Sequence, residues 1–401
     1  MGLKSSRARP PAVPPAASLP PGSKAEVAPL RQRGQRRWWM PGCLRLLRHG
    51  YQELVDAVVR PPRAEYSSQD LGPPTFRLGG QLFERSDLTV VGAGGLTLAC
   101  SWWQPKTRLA PELPCVVYMH GNASCRLEAL DCLRPVLSMG LTLFAFDFAG
   151  CGLSQGEHIT LGYREKDDAR AVVEFLRASG TVSTIALWGR SMGAATALLH
   201  GHRDPSIAAM VLDSPFTSLE QLAREVIDRA QLRHKPRVLI GAALRLLRAS
   251  VKRKAGLDIL RLRPIEDVHR CFVPAFFVAG RDDQFIPPHH ATAIFERYAG
   301  DKDMILVAGG HNSQRPPSLL HSVSLFLYHA LCVPAGLPCA RPTPEPAPMR
   351  RPERVRELIR SELAAQNAVE RLVGEATSDV QSTLPDRASV AEGLQAMEMR
   401  I

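Results

Sequence analysis

The sequence predicts an α/β fold in which a mostly parallel sheet is covered by helices on both faces. Three observations carry that prediction. Apolar, strand-like runs alternate with helical stretches through most of the chain, the arrangement that forces crossovers onto both faces of a sheet. A glycine-joined hairpin precedes that alternation. An apolar run also stops abruptly at a serine and resumes as small helix formers, in Thr184-Ile-Ala-Leu-Trp-Gly-Arg-Ser-Met-Gly-Ala-Ala-Thr-Ala-Leu-Leu199. With 401 residues and 45% hydrophobic content, one principal domain with flanking tails fits best.

Residues 1–42 form a basic, proline-rich tail, and residues 43–84 an amphipathic helix with its lead-in to the domain. Leu46, Leu47, Tyr51, Leu54, Val55, Val58 and Val59 recur at near-helical spacing until Pro61-Pro62 stops them. The principal domain is expected over residues 85–333. It begins with a hairpin of Leu88-Thr-Val-Val91 and Leu96-Thr-Leu-Ala-Cys-Ser-Trp-Trp103 across Gly92-Ala-Gly-Gly95. Strands follow at Cys115-Val-Val-Tyr-Met119 and Leu141-Thr-Leu-Phe-Ala-Phe146, then a charged-then-apolar helix over residues 165–176. After the strand Ala208-Ala-Met-Val-Leu-Asp213 comes a long insertion, about residues 214–263, expected to be a helical cap. In it Ile240, Leu244, Leu247 and Val251 form a stripe facing either the site or the domain beneath. Val273-Pro-Ala-Phe-Phe-Val-Ala-Gly280 and Met304-Ile-Leu-Val-Ala308 end the strands, and a helix begins near Pro317. A proline-rich linker (334–352) and a C-terminal segment (353–401), helical at first and then a tail, complete the chain.

The chemistry gathers at strand ends. Gly189 and Gly193 let the backbone turn sharply, so that Ser191 projects above the sheet with the first amides of a helix beside it. Upstream, His120-Gly121-Asn122 ends a buried-type strand; it is either a plain turn or a loop whose amide, with that of Met192, receives developing negative charge. Asn122 and Met192 are the candidate donors. Downstream, Arg281-Asp-Asp-Gln-Phe-Ile-Pro287 offers Asp282 and Asp283, and Gly309-Gly-His-Asn312 offers His311. A serine hydroxyl is a poor nucleophile unless a histidine takes its proton and a carboxylate orients that histidine. The order serine, acid, histidine suits residues carried on successive strand ends.

With His120-Gly121-Asn122, Asp147-Phe-Ala-Gly-Cys-Gly-Leu-Ser154, Gly189-Arg-Ser-Met-Gly193, Gly280-Arg-Asp-Asp-Gln-Phe-Ile-Pro287 and Gly310-His-Asn312, the chain resembles the serine aminopeptidase-like and depalmitoylase-like branch of the α/β-hydrolases, over roughly residues 85 to 330. The resemblance implies an α/β-hydrolase fold with a helical cap. It places the acid four residues before the proline, at Asp283, with Asp282 next in order and Asp213, one strand earlier, third. The full set of candidate residues and the basic insertion read as a serine hydrolase cleaving an ester or thioester of a small molecule, acyl lipid or acylated protein. Two other readings remain: an aminopeptidase, for which Glu225 and Asp228 are the nearby acids able to hold an ammonium unless arginines occupy them, and a binding protein without turnover.

The chain carries a formal net charge of +11. Residues 1–40 hold eight Lys or Arg against one acid, and residues 221–263 twelve against three. The basic character therefore belongs to the tail and the cap, as a solvated face or as attraction to an anionic membrane or substrate. No nucleic-acid-binding module accompanies it. Met1-Gly-Leu-Lys-Ser-Ser6 fits the pattern for myristoylation of Gly2, with nearby basic residues or Cys43 as a second signal; a transit peptide is the other reading of this basic segment. No apolar run nears the ~18 residues a membrane span needs, so a cytoplasmic location, at most peripherally membrane-bound, is expected. The nine cysteines are odd in number and scattered, which reads as reduced core residues. No spacing predicts a metal site, no cofactor is expected, and oligomeric state is not encoded in these patterns.

Overall fold

The computed structural model describes residues 55–333 apart from residues 57 and 230–236; side chains 227 and 237–244 are also outside the description. Both tails, the linker, Gly2, Cys43 and the first part of the expected N-terminal helix lie outside the described residues.

The strands are β1 (Thr75–Leu78), β2 (Gln81–Val91), β3 (Thr97–Pro105), β4 (Leu113–Met119), β5 (Thr142–Phe146), β6 (Val182–Arg190), β7 (Ala209–Asp213), β8 (Ala275–Gly280) and β9 (Lys302–Val307). They form one sheet in the order β1-β2-β3-β5-β4-β6-β7-β8-β9. The pairings β1–β2, β2–β3 and β3–β5 are antiparallel, and every later pairing is parallel. The expected hairpin is there but longer, with Leu88 opposite Cys100 and Phe83 opposite Pro105. Its outer neighbour β1 has only partly buried and exposed positions, which is why no apolar run announced it.

Alternate residues of each central strand enter different cores, as the two-residue period of a strand requires. Cys115, Val117 and Met119 of β4 join one, with Leu187 of β6 and Phe277 of β8. Val116, Tyr118, Trp188, Phe276 and Val278 join the other. The first core is closed by α2 (Glu165–Ala178), α3 (Met192–Gly201) and α6 (Pro288–Arg297), through Val172, Val173, Ala194, Ala197 and Ile294. The second is closed by α1 (Leu130–Leu137) and α7 (Pro317–Ala330), through Leu133, Val136, Val323 and Leu327. Both faces are therefore dry, and the strands read as continuous apolar runs.

Between β7 and β8 lie α4 (Leu219–Arg229) and α5 (Arg237–Ala255). Leu222 and Val226 of α4 share a third core with Val251 and Ala255 of α5, Ile286, and Val55 and Val59 of the lead-in helix. Asp56 pairs with Lys254, adding an ion pair to that contact. The stripe of α5 thus faces this core at Val251, with Leu247 packed against it; the side chains of Ile240 and Leu244 lie outside the description. No helix among the described residues is long and apolar enough to cross a membrane.

One buried group sets a pH limit on the fold. His200, on α3, is 2% exposed, and burial pushes its imidazole down to about 4, with Asp204 at 3.5 Å only partly opposing. In the unfolded chain it titrates near ~6.5. As pH falls through that range the unfolded chain takes the proton first, so the contribution to stability, on the order of 3 kcal/mol, is present above about 6.5 and lost by about 4. Urea unfolding at both ends of the window should find this loss in the wild type and a flatter response in His200→Leu.

Candidate active site

β6 ends at Arg190, and Ser191 turns the chain with φ 53° and ψ −113° before α3 begins at Met192. A non-glycine residue in that region is strained and must be held by its surroundings. The Ser191 amide donates to the Asp213 carbonyl at 2.8 Å, fixing the corner to the end of β7. The flanking glycines are required by close approach. A Cβ at Gly189 would run into the Gly193 carbonyl and lie 2.6 Å from the Ala194 nitrogen. One at Gly193 would run into the Met119 carbonyl and lie 2.9 Å from that of His120. The start of α3 therefore sits against the exit of β4, with Gly193 close to the Met119 and His120 carbonyls, and the Met192 amide, at the first helical position, has no intrahelical acceptor.

In the 120–122 turn the expected residues divide their tasks. His120 is fully buried; its Nδ1 lies 2.7 Å from the Gly121 carbonyl, to which it donates, and its Nε2 accepts from the Phe148 amide at 3.1 Å. Both ring nitrogens are engaged in holding the turn. The Gly121 amide donates to Glu128 Oε2 at 3.1 Å. Asn122 follows, with its buried Oδ1 lacking a hydrogen-bond partner among the described residues.

β8 delivers the acids and the turn after β9 the histidine. Asp283 Oδ2 accepts from His311 Nδ1 at 2.7 Å, while Oδ1 accepts the amides of Phe285 at 3.0 Å and Ile286 at 2.8 Å. The carboxylate is thus fixed from one side and orients the imidazole from the other. His311 Nε2 is buried with no hydrogen-bond partner among the described residues, and the Phe285 ring meets the imidazole edge-on at 5.3 Å between centroids. Ser191, Asp283 and His311 are 5%, 3% and 5% exposed.

The other two acids are drawn elsewhere. Asp282 Oδ2 accepts from the Gly309 amide at 3.0 Å, pinning the turn before the histidine. Asp213 forms a bidentate pair with Arg315, Nε to Oδ2 at 2.8 Å and Nη2 to Oδ1 at 2.7 Å. Burial alone would raise the Asp213 carboxyl; the Arg315 guanidinium, together with Arg190 and the Ser214 hydroxyl, outweighs it and holds the group below the usual carboxylate range. Sequence order could not separate these three, because each ends a strand or opens the loop after one.

Two residues without an expected role tie these loops together. Arg190 donates through Nη2 to the His311 carbonyl at 2.9 Å and to Asn312 Oδ1 at 2.8 Å, and its Nη1 lies 3.8 Å from Glu128 Oε1. Glu128 holds the Gly121 amide and the Tyr118 hydroxyl, the latter at 3.2 Å. An arginine closing an otherwise apolar strand was the signal in the sequence; Glu128 gave none. Glu225, expected to meet an ammonium or arginines, instead accepts from Gln221 at 2.9 Å and sits within 3.1 Å of His289 and His290. A cavity of about 380 Å³ lined by Tyr163, Lys166, Arg203 and Arg261 includes none of the residues gathered around Ser191.

Two cysteines close in sequence to these motifs are not poised for reaction. Cys125 and Cys151 are buried, and burial is the main cause raising both thiols above their ordinary value. Iodoacetamide mapping of the native protein should modify exposed Cys332 ahead of Cys100, Cys115, Cys125, Cys132, Cys151 and Cys271.

Parallel sheet, strained serine corner and an acid–histidine pair at adjoining strand ends define an α/β-hydrolase arrangement. A family model described as serine aminopeptidase, S33, matches residues 112–254. An uncharacterized protein of Mycobacterium tuberculosis is 31% identical over 238 residues, covering 58% of this chain and 74% of that protein. A Bacillus subtilis relative, also uncharacterized, is 26% identical, and the match spans 49% of this chain and 64% of that one. The lysophosphatidylserine lipase of Rattus norvegicus is 28% identical over 143 residues, 32% of this chain and 35% of that protein. Among solved structures, an esterase of Pyrococcus furiosus superposes with a TM-score of 0.52 at 21% identity, over 68% of this chain and 100% of that one, a likeness of fold. The chain belongs to the α/β-hydrolase superfamily.

Proposed function

We propose that this protein is a serine hydrolase that cleaves a carboxylic ester or thioester through an acyl-enzyme. The observation that carries the reading is the Asp283–His311 contact at 2.7 Å. It commits Nδ1 to donation and leaves Nε2 with the lone pair a general base needs. In this mechanism Ser191 Oγ attacks the acyl carbonyl as His311 Nε2 takes its proton. The amides of Asn122 and Met192 receive the oxyanion, helped by the N-terminal dipole of α3. His311 then protonates the leaving oxygen or sulfur, and water, activated by the same nitrogen, releases the acid and regenerates Ser191. Arg190 and Glu128 are positioning residues that hold the oxyanion turn and the histidine loop to one frame.

An acylated lipid or protein is the favoured substrate class. It accords with the basic cap and with the lipid ester named for the rat relative, whose match covers about a third of each chain. The aminopeptidase reading is weaker because Glu225 is already engaged by Gln221, His289 and His290. The test is labelling of the purified full chain with a fluorophosphonate, then an ester and thioester series. The reading expects labelling of wild type and none of Ser191→Ala or His311→Ala. Unlabelled, folded wild type that also turns over no ester would overturn it in favour of a binding role.

A further inference from the structure

The hydrolytic reading leaves Glu225, His289 and His290 without a task. Glu225 projects from α4, and the two histidines open α6 just after Pro288. His289 Nε2 lies 3.0 Å from Glu225 Oε1 and His290 Nε2 3.1 Å from Oε2. The two imidazoles stack at 4.6 Å, so both present their Nε2 atoms to one carboxylate, and all three ligand atoms fall within 4.8 Å of one another.

The hydrogen-bond count around this cluster is short by one hydrogen. Gln221 Nε2 donates to Glu225 Oε1 at 2.9 Å, and Thr217 Oγ1 donates to Gln221 Oε1 at 2.8 Å. The ring of contacts closes through His290, whose Nδ1 is 2.8 Å from Thr217 Oγ1 and whose Nε2 meets Glu225. Gln221, Thr217 and a neutral imidazole supply three hydrogens to these four contacts. The longer approach of the Thr217 amide to the same Nδ1, 3.3 Å, adds no hydrogen to the ring. With a neutral imidazole, one contact therefore sets lone pair against lone pair, in a place where His290 is fully buried. A hydrogen at Nδ1 and a positive charge at Nε2 complete these four contacts, in exchange for the 3.3 Å bond that Nδ1 accepts from the Thr217 amide. A second proton would serve His290 alone; one metal ion accepts the lone pairs of both imidazoles and the carboxylate together.

We propose that Glu225, His289 and His290 form a binding site for a divalent transition-metal cation, with Zn²⁺ the best match. Two imidazole nitrogens and a carboxylate are ligands zinc favours, and bonds of about 2.0–2.1 Å in a tetrahedron separate neighbouring ligand atoms by roughly 3.3 Å, close to the 3.0 and 3.1 Å found here. Ca²⁺ and Mg²⁺, which prefer oxygen shells, do not fit this set. Thr217 and Gln221 provide the outer contacts that orient His290 and Glu225. The His289 side chain, 54% exposed, opens the site to solvent. The chain spacing hid the site, since the carboxylate and the imidazoles lie far apart in sequence and meet only in the folded chain. A bound ion would clasp the cap to α6 beside the acid loop, where Arg229 of α4 also donates to the Phe285 carbonyl at 3.2 Å.

The experiment is equilibrium dialysis of the chelator-treated full chain against ZnCl₂, comparing wild type with His289→Ala and Glu225→Gln, each checked for native circular dichroism. One Zn²⁺ per wild-type chain is expected, with affinity at least about 100-fold lower in the variants, beyond what loss of an outer contact costs. X-ray absorption should then find imidazole nitrogen and carboxylate oxygen around the zinc. No zinc uptake by the wild type, equal uptake by the variants, or sulfur ligation would overturn the assignment. None of these readouts depends on hydrolytic activity.

Discussion

Asp283→Asn is expected to lower kcat for the best ester substrate by about 10⁴-fold with little change in folding, while Asp282→Asn stays within about tenfold of wild type. The first magnitude follows from the carboxylate's task of fixing the histidine tautomer and stabilising the imidazolium; an amide of the same shape presents the wrong partner to Nδ1. Asp283 Oδ2 makes that contact at 2.7 Å, and its Oδ1 is already held by two loop amides, so the asparagine fills the same space. Asp282 reaches only the Gly309 amide, at 3.0 Å, where an asparagine oxygen still accepts. Steady-state kinetics on the two variants checks the assignment. Equal losses, or the larger loss at Asp282, would remove Asp283 from the mechanism.

The second large effect falls on stability. Asp213→Asn should lower the unfolding free energy by about 3–5 kcal/mol, because it strands a guanidinium whose side chain is only 11% exposed. Arg315→Leu should cost a comparable amount by stranding the carboxylate. The double variant should be far less destabilised than the two single losses added together, since neither charge is then left unpaired. Arg315 also donates to the Gly310 carbonyl at 3.2 Å, so Asp213→Asn should reduce turnover modestly by loosening the loop that carries His311. Urea denaturation of the four proteins supplies the cycle; single losses below about 1 kcal/mol would show the pair to be screened.

The same two aspartates mark the boundary of what local sequence conveys. Asp213 and Asp283 both sit where a strand delivers a carboxylate to the site edge of the sheet, and both are buried. Their partners, Arg315 and His311, are only four residues apart in one loop. Which carboxylate meets which base is a matter of how that loop packs, and no periodicity records it. Ser191 was more legible, because its strained corner demands glycines at fixed positions, and Gly189 and Gly193 stand where side chains would strike the neighbouring backbone. β1 was not legible, because a half-exposed edge strand lacks the apolar run that marked β4 through β8.

By itself the sequence determined the parallel α/β sheet, through apolar runs long enough to be dry on both faces, and the serine corner, through steric demands confined to five consecutive residues. Tertiary structure alone decided the partners of the three acids, the Arg190–Glu128 tie beneath the loops, and the meeting of Glu225 with His289 and His290. The physical reason is range: steric and periodic constraints act between residues close in the chain, whereas ion pairs, hydrogen-bond networks and ligand sets depend on distances that only packing establishes.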